Sequence, residues 1–125
     1  MHTVTFHSGG QGPIMHFHAQ QNEYDWHEAT TFPLGYMPQT NLGEAVVTSM
    51  QPGDVLGLIS DGIYEYENES GLQFGQQGVI NIIDNHPEAS AQELVDMIMH
   101  GAREHGGSAP QADDITIVLA RRLPE

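Results

Sequence analysis

Apolar positions alternate or cluster along the chain in a way that outlines most of its elements. Val4, Thr5 and Phe6 read as a short strand, and Ile14 to His18 as a second. Between them SGGQGP, residues 8–13, is a turn cluster whose glycines permit positive φ, so the two strands are expected to form a hairpin. A polar loop containing Tyr24 and Trp26 leads to FPLGYMP, where Pro33, Gly35 and Pro38 break any regular element and an ordered loop is expected. Residues 45–50 are strand-like, QPGD at residues 51–54 is a β-turn with Pro52 and Gly53 at its centre, and residues 55–60 form the next strand. These last two strands are predicted to pair antiparallel. Val55, Leu56, Leu58 and Ile59 occupy both faces of the second, which predicts burial on both sides in a layered structure.

Helical spacing takes over in the second half. Residues 74–85 put Val79, Ile80 and Ile83 on one side, and the helix is expected to stop before His86-Pro87, because a proline disfavours the α conformation of the residue before it. Ser90-Ala91-Gln92-Glu93 has the form of a capping box. Behind it Leu94, Val95, Ile98, Met99 and Ala102 recur at helical spacing until Gly106-Gly107. Asp96, His100 and Glu104 share the other face, the usual mark of a solvated side. Residues 115–120, β-branched and apolar, predict a closing strand. The order of strands, helices and strand indicates an α/β fold of the layered α+β kind, an antiparallel β-sandwich flanked by helices.

Composition narrows the function. The 125 residues suit one domain, and 38% hydrophobic residues supply a core. A formal charge of −14, from 17 acidic residues against three arginines and no lysine, repels phosphate backbones, so nucleic acid is excluded as a partner. The absence of cysteine excludes disulfides, thiolate metal sites and a cysteine nucleophile, and leans towards a cytoplasmic setting. No apolar run approaches the length of a membrane span. The chain opens directly in strand-like sequence, the expectation for one partial domain over residues 1–125.

Two acidic sites stand out. Asp61-Gly62 follows the doubly apolar strand, and Asp113-Asp114 precedes the final one. If those strands are antiparallel neighbours, Asp61 and Asp113 converge at one sheet edge, where paired carboxylates call for a cation such as Mg²⁺ or Mn²⁺. Asp-Gly is equally a common turn dipeptide, so turn and ligand both remain open. His16 and His18 alternate on one strand face and, with His7 nearby, form a Zn²⁺ or Ni²⁺ alternative to plain solvent-facing positions. SGGQG lacks the lysine and the helix of a phosphate loop. Arg103, Arg121 and Arg122 are the only fixed cations, and none is in a loop near the acidic cluster.

PGDVLGLISDGIYE, followed some fifty residues later by QADDITIVLARR, resembles the metal-dependent PP2C-like serine/threonine phosphatases. The likeness is to the bacterial branch of sporulation and sigma-factor regulators that dephosphorylate small anti-anti-sigma proteins. TFHSGGQGPIMHF and TTFPLGYMP resemble upstream segments of the same family in the same order, so the likeness runs from about Val4 to Arg122. It implies a pair of divalent metals, Mn²⁺ or Mg²⁺, that activates a water for in-line attack on phosphoserine or phosphothreonine. By this resemblance Asp61 and Asp113 ligate metal, Gly62 permits the turn that aims Asp61, and Asp114 is a supporting or structural residue. Glu65 sits at a position often acidic in that branch, without an assigned role.

The family's Asp-x-x-Gly-His-Gly type segment, which supplies the bridging aspartate, does not occur in these 125 residues. The resemblance therefore implies the C-terminal part of the domain, inactive by itself, with uncovered strand edges that favour self-association. It further implies a phosphorylated regulatory protein as substrate and an attached sensor or receiver domain. The rivals are a noncatalytic binding or dimerisation module of the same fold and a simple acidic cation-binding protein.

Overall fold

The computed structural model describes residues 2–10, 12–38 and 43–124. The chain divides into two compact units, one made of Met1–Leu58 with Arg121–Glu125 and the other of Ile59–Ala120.

In the first unit, β1 (Thr3–Phe6) pairs antiparallel with β4 (Val46–Ser49), with Val4 opposite Thr48 and Phe6 opposite Val46. Strand β2 (Ile14–His18) lies between β3 (Glu23–His27) and β5 (Val55–Ile59), antiparallel to both. The central place of β2 explains its burial. Ile14, Met15, His16 and Phe17 are all buried, and strand alternation puts Ile14, His16 and His18 on one face, Met15 and Phe17 on the other. On the first face Ile14 and Leu56 join Met50, with Val4 and Phe6 of β1 packed against them, so the two sheets of this unit meet face to face.

Three expectations are corrected here. β1 and β2 form no hairpin. Ser8 and Gly10 instead bond to Thr30 and Thr31 (Thr30 N to Ser8 O and Gly10 N to Thr31 O, both 2.9 Å), so the glycine-rich segment carries the chain from one sheet to the other. Gln11 of that segment lies outside the described residues. The strand over residues 45–50 does not pair with the one after it, because β4 belongs to the sheet of β1 and β5 to that of β2. The QPGD turn between them forms as expected, with Asp54 N donating to Gln51 O at 3.0 Å and Gly53 at φ 88°, a value that favours glycine at the second central position. Finally, the segment with Tyr24 and Trp26 is strand β3 rather than a loop. Its aromatic rings share a face with Phe17, the Phe17 and Tyr24 centroids lying 4.8 Å apart.

In the second unit, α1 (Asp61–Tyr64) is followed by α2 (Gly75–Asn85), α3 (Ala91–Gly106) and most of β6 (Ile117–Arg121). Helix α2 buries Val79 and Ile83; α3 buries Leu94, Ile98, Ala102 and Gly106, a stripe at spacing four. α2 ends at Asn85, before His86-Pro87, as its sequence predicts. The solvated face of α3 is as expected, with His100 Nε2 3.4 Å from Glu104 Oε2 and both side chains exposed. No helix among the described residues is long and apolar enough to cross a membrane.

The capping box forms in full. Glu93 N donates to Ser90 Oγ and Ser90 N to Glu93 Oε1, each at 3.1 Å. Hydrogen bonds from the Ser90 backbone, and secondarily its hydroxyl, hold the Glu93 carboxyl below its ordinary range. A carboxyl depressed in the folded state contributes stability above its unfolded pKa and loses that contribution as pH falls through the folded value. Glu93→Gln is therefore expected to lower the urea midpoint at neutral pH, with the difference from wild type vanishing well below the carboxylate range.

Candidate metal centre

Ser60 sets the geometry at the end of β5. It is the N-cap of α1 in extended conformation, φ −73° and ψ 160°, so Asp61 opens the helical turn and Ile63 and Tyr64 are carried inward. Its backbone N donates to Thr116 O at 2.9 Å, and its hydroxyl both accepts from Thr116 N at 2.9 Å and donates to Asp114 O at 3.3 Å. Three bonds from one serine thus stitch the start of α1 to the segment before β6.

Gly62 completes the junction. A Cβ on it would stand 2.1 Å from the Asp114 carbonyl oxygen and 3.2 Å from Ile115 Cγ1, so any side chain would push the two segments apart. The expected reason for this glycine is corrected. Gly62 is a helical residue that lacks positive φ, and what requires it is the close approach of the Asp114 backbone. Asp114 accordingly takes part through its carbonyl.

Asp61 and Asp113 each adjoin this junction in sequence, and both are exposed. Asp113 Oδ1 accepts from Asp114 N at 2.8 Å, which fixes the carboxylate against its own loop. Burial and, secondarily, the Asp61 carboxylate raise the pKa of Tyr64 far above the usual phenol range. Beside the junction lies a cleft of about 820 Å³ whose lining includes Gly62, Glu65, Glu67, Glu69 and Asp113 and no basic side chain. Glu65, left without a role by the sequence, therefore belongs to this cleft. Asn68 Oδ1 orders the loop behind it by accepting from Ser70 N and Leu72 N, both at 2.9 Å. Glu69 accepts from the Ser108 hydroxyl and ties that loop to the end of α3. The donors offered are all oxygens, and no basic side chain is among the described residues of the lining, which suits a hard divalent cation completed by water.

The candidate histidines His7, His16 and His18 lie in the other unit. His16 is fully buried, which corrects the solvent-facing reading, whereas His7 is exposed. His16 Nε2 is 3.0 Å from Asp54 Oδ2 and His16 Nδ1 is 3.1 Å from Thr48 Oγ1. Asp54, read from sequence only as a turn residue, is fully buried, and its carboxylate accepts from Ala19 N and Gln51 N, both at 3.0 Å. The signal for it was its place directly before a doubly apolar strand. Among the described residues one group of three His, Asp or Glu side chains has its ligand atoms within 4.8 Å of one another, namely His16, His18 and Asp54. Asp61 and Asp113 belong to no such group.

A family model described as Stage II sporulation protein E (SpoIIE) matches residues 1–123. The chain belongs to this family. Among solved structures it is similar to the SiaA-PP2C domain of Pseudomonas aeruginosa, at 20% identity and a TM-score of 0.75 over 98% of this chain and 46% of that one. It is also similar to the PP2C phosphatase domain, with a fragment of the regulatory domain, of the cell fate determinant SpoIIE from Bacillus subtilis (21% identity, TM-score 0.72, 95% of this chain and 34% of that one). A third likeness is to the RsbU and RsbW domains of a Mycobacterium tuberculosis protein, at 18% identity and a TM-score of 0.60 over 98% of this chain and 33% of that one. No curated protein matches the sequence. At such identities the likeness is one of fold, a mixed α/β fold with antiparallel sheets and helices as in PP2C phosphatase domains. The chain spans between about a third and just over a half of the length of the solved chains it matches.

The junction carries a direct consequence for stability. Gly62→Ala inserts a methyl group where the Asp114 carbonyl stands and is expected to cost about 1–3 kcal/mol, the usual penalty for overpacking. Chemical denaturation measures it, and an unchanged midpoint would mean that the two segments are not in contact.

Proposed function

We propose that this chain is the C-terminal portion of a metal-dependent protein serine/threonine phosphatase domain, residues 1–125 forming a single partial domain, in which Asp61 and Asp113 each give a carboxylate to a divalent cation, Mn²⁺ or Mg²⁺. The observation that carries the reading is the junction of Ser60 and Gly62 with residues 114–116, which ties the segments bearing the two aspartates to one edge beside an all-oxygen cleft. When bound, such a cation lowers the pKa of a water and neutralises charge on phosphoryl oxygens. The remaining roles fall to the chain's own residues. Gly62 admits the Asp114 carbonyl, Asp114 N steadies the Asp113 carboxylate, and Glu65, Glu67 and Glu69 repel a phosphate dianion that arrives without a cation. Membership of the SpoIIE family supports a phosphorylated Ser or Thr on a small regulatory protein of the anti-anti-sigma type as substrate, in a parent protein with a sensor or receiver domain. Exposed Val47 and Val118 on β4 and β6 support self-association of the isolated chain.

A second reading, a noncatalytic module of the same fold, is favoured by one fact. Among the described residues neither Asp61 nor Asp113 belongs to a group of three side chains whose ligand atoms could meet one ion. Activity separates the two readings. In a protein that joins this chain to the preceding half of the domain, hydrolysis of a phosphoserine protein should require Mn²⁺ or Mg²⁺, and the 125 residues alone should be inactive. Asp61→Asn and Asp113→Asn should each lower kcat by at least about 100-fold, the upper end of what even outer partners of a bound metal cost. Full turnover in both variants, or turnover indifferent to chelators, would sink the proposal.

A further inference from the structure

From the first unit we infer that His16, His18 and Asp54 form a second cation site of a different chemical class, one for Zn²⁺ or a similar borderline transition metal. The strands bring the donors together. His16 and His18 project from the same face of β2, and the β2–β5 register, with Phe17 opposite Val55, leads on to Asp54 at the level of His18. The two imidazoles lie side by side with centroids 3.9 Å apart, and one nitrogen of each is within 3.9 Å of the same Asp54 oxygen.

Each imidazole is held at its far nitrogen and presents the near one to Asp54. His16 is anchored through Nδ1 to Thr48 Oγ1 at 3.1 Å, and its Nε2 lies 3.0 Å from Asp54 Oδ2. His18 is anchored through Nε2 to Asp25 Oδ2 at 2.7 Å, and its Nδ1 lies 3.9 Å from the same Asp54 oxygen. Asp54 is held in turn by the amides of Ala19 and Gln51. An imidazole fixed by a carboxylate or hydroxyl on one nitrogen so that the other faces a metal is the usual outer arrangement of histidine ligands.

Distances separate this reading from a purely structural one. Hydrogen bonds to Asp54 and Asp25 account for His16 Nε2 and His18 Nε2, but not for His18 Nδ1, which at 3.9 Å from Asp54 Oδ2 is too far to bond it. Zinc bonds of about 2.0–2.1 Å at a tetrahedral angle set donors about 3.3 Å apart, between the 3.0 and 3.9 Å observed. Two imidazoles and one carboxylate are also a donor set that zinc accepts, unlike the all-oxygen edge of the other unit, which suits Mg²⁺ or Mn²⁺. His16 and Asp54 are sealed, but 24% of the His18 side chain and 58% of that of Asp25 are exposed, leaving a way in. A metal here would bind β2 to the turn that leads into β5 and stiffen this unit.

The test uses a chain carrying Asp61→Asn and Asp113→Asn, so that the acidic edge is silent, with Zn²⁺ followed by calorimetry and Co²⁺ by its visible spectrum. The expected results are one saturable Zn²⁺ per chain, Co²⁺ bands of a tetrahedral N/O site, and a higher melting temperature with Zn²⁺. Adding His18→Gln should weaken Zn²⁺ at least tenfold. Asp25→Asn, which alters an exposed side chain and leaves all three ligands in place, should weaken it by about 10–100-fold. Absence of saturable Zn²⁺ binding, or affinity unchanged in both His18→Gln and Asp25→Asn, would overturn the inference.

Discussion

The approach of Gly62 to the Asp114 carbonyl is the contact on which the acidic edge depends. A backbone oxygen that stands 2.1 Å from where a Cβ would lie leaves room for hydrogen alone, so residue type and chain path constrain each other here. Ser60 reinforces the contact from one side through its bonds to residues 114 and 116, and burial of Ile63 and Tyr64 anchors it from below. With those pieces in place the segments that carry Asp61 and Asp113 adjoin one junction.

A different economy governs the buried polar group of the first unit. His16 and Asp54 occupy positions on an inter-sheet face otherwise filled by Ile14, Leu56 and Met50. Burying a carboxylate and an imidazole is costly unless both are satisfied, and there each finds two partners or more. Removal of one partner would leave the other buried and uncompensated, so the group is rigid whatever else it binds. The Asp54 carboxylate also closes the QPGD turn through the Gln51 amide, and the backbone of Asp54 accepts from Arg122 N at 3.0 Å.

Legibility in the sequence follows the range of the interactions. The Ser90–Glu93 box, the Gln51–Asp54 turn and the stop of α2 before His86-Pro87 depend on residues a few positions apart, and all are readable from the chain. Strand partners are not, because the choice of β4 over β2 as the neighbour of β1 is made by packing across more than forty residues. Strand β3 was within reach, since Tyr24 and Trp26 at a spacing of two between polar residues are a half-buried strand pattern. The convergence of the segments carrying Asp61 and Asp113 is readable from strand order and from the family resemblance together. The reason for Gly62 is not, because it lies in a carbonyl some fifty residues away. Nor does a lone aspartate in a turn reveal that it will be sealed against a histidine from another strand.

The central claim is that the edge beside Gly62 and Asp113 is where a hard divalent cation meets this chain. Paramagnetic broadening by substoichiometric Mn²⁺ in amide NMR spectra tests it without any substrate. The account predicts that the signals of residues 61–65 and 112–115 disappear first and together, and that Asp61→Asn and Asp113→Asn restore them. Broadening spread evenly over the acidic surface, or centred on residues far from that edge, would contradict it.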